Sequence, residues 1–169
     1  MNNLPPSNSY KFQLSFKGNL VEHSVDAYAV ANTILATSLA LNRISELKFN
    51  DELKDTLRIN INAFKQGSFI SEFLIYLPQT IDPGLVAVLF PKVEEGYRIG
   101  KEILQTLGLV IAVRKKWMGE KPKEVRHNED SSITITGSNN VVINIAARDL
   151  SYVQDSRLGE NIKKMVGLK

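Results

Sequence analysis

Few of the 169 residues are of the types that carry out chemistry. Cysteine is absent, which excludes thiolate nucleophiles, disulfides and zinc–thiolate sites. The two histidines, His23 and His127, lie far apart in the sequence. His23 has Glu22 and Asp26 nearby, and an acid/base pair or a metal cluster there would need a turn that aims all three inward. A histidine that bonds backbone or caps a helix entry is the simpler reading. His127 stands with Asn128, Glu129 and Asp130 in a charged stretch that reads as exposed loop. Ser68, in Gly67-Ser68-Phe69, follows a hairpin turn rather than the strand-to-helix elbow a serine nucleophile uses. There is no phosphate-binding loop and no Gly-x-Gly-x-x-Gly. The expectation is therefore a chain with no catalytic residue, no metal and no cofactor, in which Glu22, His23 and Asp26 are the cluster an enzyme would have to use.

Charge points to a second kind of chemistry. Arg114, Lys115, Lys116, Lys121, Lys123 and Arg126 surround Trp117, with Glu120 and Glu124 as the only acids from 114 to 126. That segment carries +4, against +3 for the whole protein. Such cations could engage phosphates while the indole stacks on a base, which makes a nucleic acid or nucleotide a candidate partner. A membrane surface is the less expected anionic partner. The plain alternative is a solvated helix end whose cations complement the helix dipole. A third feature is apolar. Ile133, Ile135, Val141, Ile143 and Ile145 make a β-branched hairpin that must be covered, by the chain itself or by a second copy. Gly96 and Gly100, four residues apart on one helix face, would admit a closely approaching backbone and join that candidate oligomer interface.

The elements that must position these residues follow from periodicity. Residues 1–9, rich in Asn, Pro and Ser, read as a disordered leader. Tyr10, Phe12, Leu14 and Phe16 alternate with polar residues and predict a strand over 10–17, with a short second strand over 20–25. Asp26 is a helix N-cap for residues 26–45. The apolar stripe of that helix is Ala27, Val30, Ala31, Ile34, Leu35, Leu41 and Ile44, widened by Tyr28 and Leu39. Residues 56–65 and 68–77 form a hairpin whose return strand is apolar on both faces and so is covered on both. A turn or two of helix over 85–90 and a longer helix over 92–117 follow. The hairpin 132–146 and a weakly periodic helical tail through Leu150, Val153, Leu158, Ile162 and Val166 complete the chain. No apolar run approaches the roughly 20 residues of a membrane span, and the start has no signal-peptide pattern, so a cytoplasmic home is expected.

The fold class is thus α+β: an antiparallel sheet with a long helix packed across it, further helices, and a C-terminal β-hairpin plus helix. Residues 10–118 make the core domain and 119–131 a basic linker. Residues 132–169 either join that domain or form an oligomerisation appendage.

Three short motifs carry a resemblance. They are Leu14-Ser15-Phe16-Lys17-Gly18, Glu22-His23-Ser24-Val25-Asp26-Ala27 and Gly67-Ser68-Phe69, followed by Gly119–Lys123 ahead of the Ile/Thr/Asn strand pair 133–145. In these the chain resembles an uncharacterised family of bacterial and mobile-element proteins, a domain of unknown function. The resemblance implies a bacterial or phage setting and a part in phage–host conflict or antiviral defence, and it brings no catalytic residues. The functional expectation is a non-enzymatic, self-associating protein that binds a protein partner or ligand. The alternative is a nucleic-acid or nucleotide-binding protein using residues 114–126.

Overall fold

The computed structural model describes residues 9–15, 26–49, 58–62, 70–76, 95–117 and 122–167. Residues 1–8 of the expected 1–9 leader, the 20–25 strand, Glu22, His23, Ser68, the 85–90 helical turn and Lys121 lie outside the described residues, and Ser9 opens the first strand.

Alternation builds the first sheet. β1 (Ser9–Ser15) and β2 (Arg58–Asn62) both pair antiparallel with β3 (Ile70–Tyr76), giving the order β1-β3-β2. The central strand buries Phe73, Leu74 and Ile75 from both of its faces, as a doubly covered strand must. Phe12 stacks on its cross-strand partner Phe73 with ring centroids 4.9 Å apart.

The helix lying on this sheet is α2 (Glu95–Lys116), which packs on β1 and β3. Gly100 lets it come close, because a Cβ there would run into the Tyr10 side chain of β1. The close approach read from Gly96 and Gly100 is thus made, at Gly100, by the chain's own strand rather than by a second copy. Gly96 lies one turn earlier in α2.

α1 (Ala27–Phe49) starts where its cap predicts: the Asp26 carboxylate accepts from the Tyr28 and Ala29 backbone N–H groups at 2.8 and 3.3 Å. Its main neighbours are the C-terminal helix and α2.

The segment expected as a basic linker is corrected. Residues Pro122–His127 form β4, which pairs antiparallel with β5 (Ser132–Gly137), itself paired with β6 (Val142–Ala146). The physical reason is that β4 is an edge strand. Its backbone joins the β5 ladder while Lys123, Glu124, Arg126 and His127 stay exposed, so only Val125 and Pro122 lean inward. β5 alternates cleanly, burying Ile133, Ile135 and Gly137. Between β5 and β6, Gly137 N–H donates to the Val141 carbonyl at 2.9 Å, and Asn140 takes a positive φ of 60°.

A 3-10 turn (Ala147–Asp149) leads to α3 (Leu150–Gln154) and α4 (Ser156–Val166). Asp155 caps α4 by accepting from the Leu158 N–H at 2.7 Å, and Gly167 closes it in the left-handed conformation at φ 67°. One buried cluster joins Leu41 and Ile44 of α1, Phe73 of β3, Ile103 and Val110 of α2, the isoleucines of β5 and β6, and Leu158 and Ile162 of α4. The hairpin and C-terminal helices therefore share the core of the first sheet and are not an appendage.

Candidate interaction surfaces

The basic segment divides into buried and exposed halves. Trp117, at the end of α2, is completely buried. Its indole Nε1 donates to the Val141 carbonyl at 3.3 Å, and the ring lies on Gly137, where a Cβ would overlap it. Asn139 Nδ2 donates to the Lys116 carbonyl at 2.8 Å beside it. Trp117 is a wedge that fastens the second sheet to α2, so it has no face left to stack on a base.

Arg114 is also buried. Its Nη2 donates to the Val153 and Asp155 carbonyls at 2.8 and 3.1 Å, tying α2 to the break between α3 and α4. Gly159 leaves the space for it: a Cβ there would sit 2.5 Å from the guanidinium carbon. Burial pushes the Arg114 pKa down, opposed by the charges of Glu160 and Asp155. The Asp155 carboxylate accepts from Arg43 Nη2 at 2.6 Å and Nε at 3.1 Å, and Arg43 also meets Glu46 at 2.8 Å. Burial raises the Asp155 pKa, but the Arg43 and Leu158 hydrogen bonds and the charges of Arg43 and Arg157 together hold it below the usual carboxylate value. Arg114 and Trp117 are thus corrected from binding residues to parts of the core. Lys115, Lys116, Lys123 and Arg126 are exposed, divided between the end of α2 and β4.

The hairpin set is corrected in the same way. Ile133, Ile135 and Ile145 are buried within the chain, and Val141 and Ile143 are half-buried against the same cluster. The inward face of the second sheet is used up in folding. Its outward face is polar: Thr134 Oγ1 donates to Asn144 Oδ1 at 2.8 Å and accepts from Asn128 Nδ2 at 2.9 Å. Val142 stands on that face 58% exposed.

His127 is exposed at the end of β4, opposite Ile133, and Asp26 is occupied in capping α1. Among the described residues no three His, Asp or Glu side chains gather where they could hold a metal ion. A polar groove of about 390 Å³ between α1, α2 and the 3-10 turn holds Lys48, Glu102, Gln105 and Arg148. Lys48 is paired there with Glu102 at 3.5 Å. No described helix is long and apolar enough to cross a membrane.

Among the described residues, α1 leaves an apolar surface exposed. No residue from Ala27 to Asn42 in α1 is charged. The core takes Ala36, Ala40, Leu41 and Ile44 from this helix. Tyr28, Leu35 and Leu39 remain 77%, 57% and 45% exposed, with Ala27 and Ala31 exposed beside them. The stripe read from the sequence is therefore two stripes, and only one faces the core. The whole-helix pattern could not separate them, because apolar residues lie on nearly every side of α1.

The chain matches no protein-family model, no curated protein and no solved structure.

Proposed function

We propose that this chain is a non-enzymatic, self-associating interaction protein. The observation that supports the reading is the exposed, charge-free face of α1. A solvated helix face of this length ordinarily carries Lys, Glu or Arg; this one carries Tyr28, Leu35, Leu39 and alanines.

The face suits a second copy of itself. Ala27, Ala31, Leu35 and Leu39 follow one i, i+4 ridge, small in its first half and large in its second. Two such helices packed antiparallel about Thr33 set Leu39 of one copy against Ala27 of the other, and Leu35 against Ala31. Large side chains meet small ones, and the antiparallel sense is the favourable one for the helix dipoles. Fully covering an aliphatic side chain contributes about 1.5–3 kcal/mol, and roughly half of Leu35 and Leu39 is still to be covered.

Light scattering on wild type and Leu35→Glu tests the reading. The wild type is expected as a multiple of 18.9 kDa that resists salt, and Leu35→Glu, with unchanged circular dichroism, at a lower mass. An 18.9 kDa wild type at every concentration would overturn it. An assembly that carries nucleic acid and falls apart in salt would favour the basic reading through Lys115, Lys116, Lys123 and Arg126 instead.

A further inference from the structure

The two edges of the second sheet are unequal. β4 carries the devices that keep an edge strand from pairing. Pro122 has no N–H to offer, the register shifts between Pro122 and Glu124, and Lys123, Glu124 and Arg126 place charges along the strand. β6 reads Val-Ile-Asn-Ile-Ala: no charge, no proline, no glycine, and an unbroken register with β5.

Its free side can be worked out from the ladder. Ile143 and Ile145 pair with Ile135 and Ile133, and the flanking bonds run from Gly137 N–H to the Val141 carbonyl and from Ala147 N–H to the Ser131 carbonyl. Odd-numbered residues therefore bond to β5. The N–H and C=O groups of Val142, Asn144 and Ala146 point the other way. Among the described residues the three N–H groups and the Val142 and Asn144 carbonyls have no backbone partner, while the Ala146 carbonyl, at the N-cap of the 3-10 turn, takes that turn's first bond with one lone pair and keeps the other; all three residues are exposed.

We propose that β6 pairs antiparallel with β6 of a second copy about a two-fold axis at Asn144, joining two three-stranded sheets into one of six. The strand is complementary to itself in that register. Val142 of one copy lies opposite Ala146 of the other, large against small, and Asn144 lies opposite Asn144. On the inner side Ile143 lies opposite Ile145 of the second copy. Charge selects the same edge: a β4–β4 pair would oppose Lys123 and Arg126 with only Glu124 to offset them, whereas β6 meets itself without any like charges. This inference rests on the self-association reading but uses a different surface from α1, so the two can fail separately.

The chain has no cysteine, which makes single-cysteine linking clean. Across a hydrogen-bonded antiparallel pair the Cα atoms are about 5.5 Å apart, within the span of a disulfide. N144C is expected to give a linked dimer under mild oxidation. V142C alone and A146C alone are not, because like residues lie four positions apart along the strands, about 13 Å. An equal mixture of V142C and A146C links. In wild type, amide exchange at Val142, Asn144 and Ala146 slows as concentration rises, while Ile143 and Ile145 are slow throughout. Equal linking by N144C and V142C, or exchange at the three amides that ignores concentration, would overturn the pairing. Repeating N144C in the Leu35→Glu background separates the readings. Persistent linking there shows that the β6 contact stands without α1. An assembling wild type whose N144C form does not link sinks the β6 contact alone.

Discussion

Arg114 and Asp155 carry the clearest consequences at the scale of single residues. Charge groups Arg114 with its lysine neighbours, yet its spacing places it elsewhere. Ile99, Ile103, Leu107, Val110, Arg114 and Trp117 follow one another at three or four residues along the buried side of α2. That helical step was the signal in the sequence that separates Arg114 and Trp117 from exposed Lys115 and Lys116. What the step could not show is the partner, since the Val153 and Asp155 carbonyls come from about forty residues away. Arg114→Met strands these two carbonyls and is expected to destabilise the fold by about 3 kcal/mol, while Lys115→Glu changes it by less than about 0.5 kcal/mol. Urea denaturation of the two variants measures both. Asp155 sets an acid limit. Its folded pKa is depressed, so its contribution is complete above the unfolded value of about 4 and is lost as pH falls through the lower folded value. The urea midpoint is expected to drop between pH 5 and pH 3 in wild type, and to drop less in Asp155→Asn.

Secondary structure was legible where one face of an element is apolar and the other is not. β1, the β2–β3 pair, the β5–β6 hairpin and the Asp26 cap all followed from period or from cap chemistry. β4 was not, because an edge strand with one inward valine has the composition of a solvated connector. The choice of face on α1 was also hidden. A helix apolar nearly all round can bury either side, and only the arrival of α4 decides which. The docking of the second sheet is testable at this scale. Gly137→Ala pushes a methyl group into the Trp117 ring, and is expected to cost about 1–3 kcal/mol in urea melts. Gly108→Ala, which meets nothing within 4 Å on the same helix as Trp117's neighbour Lys116, is expected to stabilise by up to about 1 kcal/mol.

For the molecule as a whole, the core takes up the hairpin residues Ile133, Ile135 and Ile145 that a second copy would otherwise cover. A β-branched hairpin needs cover, and it finds it within one chain: Ile133, Ile135 and Ile145 are buried in the one cluster that holds the helices, with Trp117 against Gly137 and Val141. The proposed self-association uses what that core leaves outside among the described residues: the charge-free face of α1 and the edge of β6. Both contacts are of the kind that a two-fold axis makes, so two of them on separate axes carry growth beyond two copies. Neither contact depends on attraction between opposite charges, so the assembly should resist salt, unlike a complex held by phosphate contacts. The first measurement for this self-association is light scattering across a concentration series at low and high salt. The mass is expected to rise with concentration to at least twice 18.9 kDa and to be unchanged by salt. A mass of 18.9 kDa throughout the series would contradict self-association.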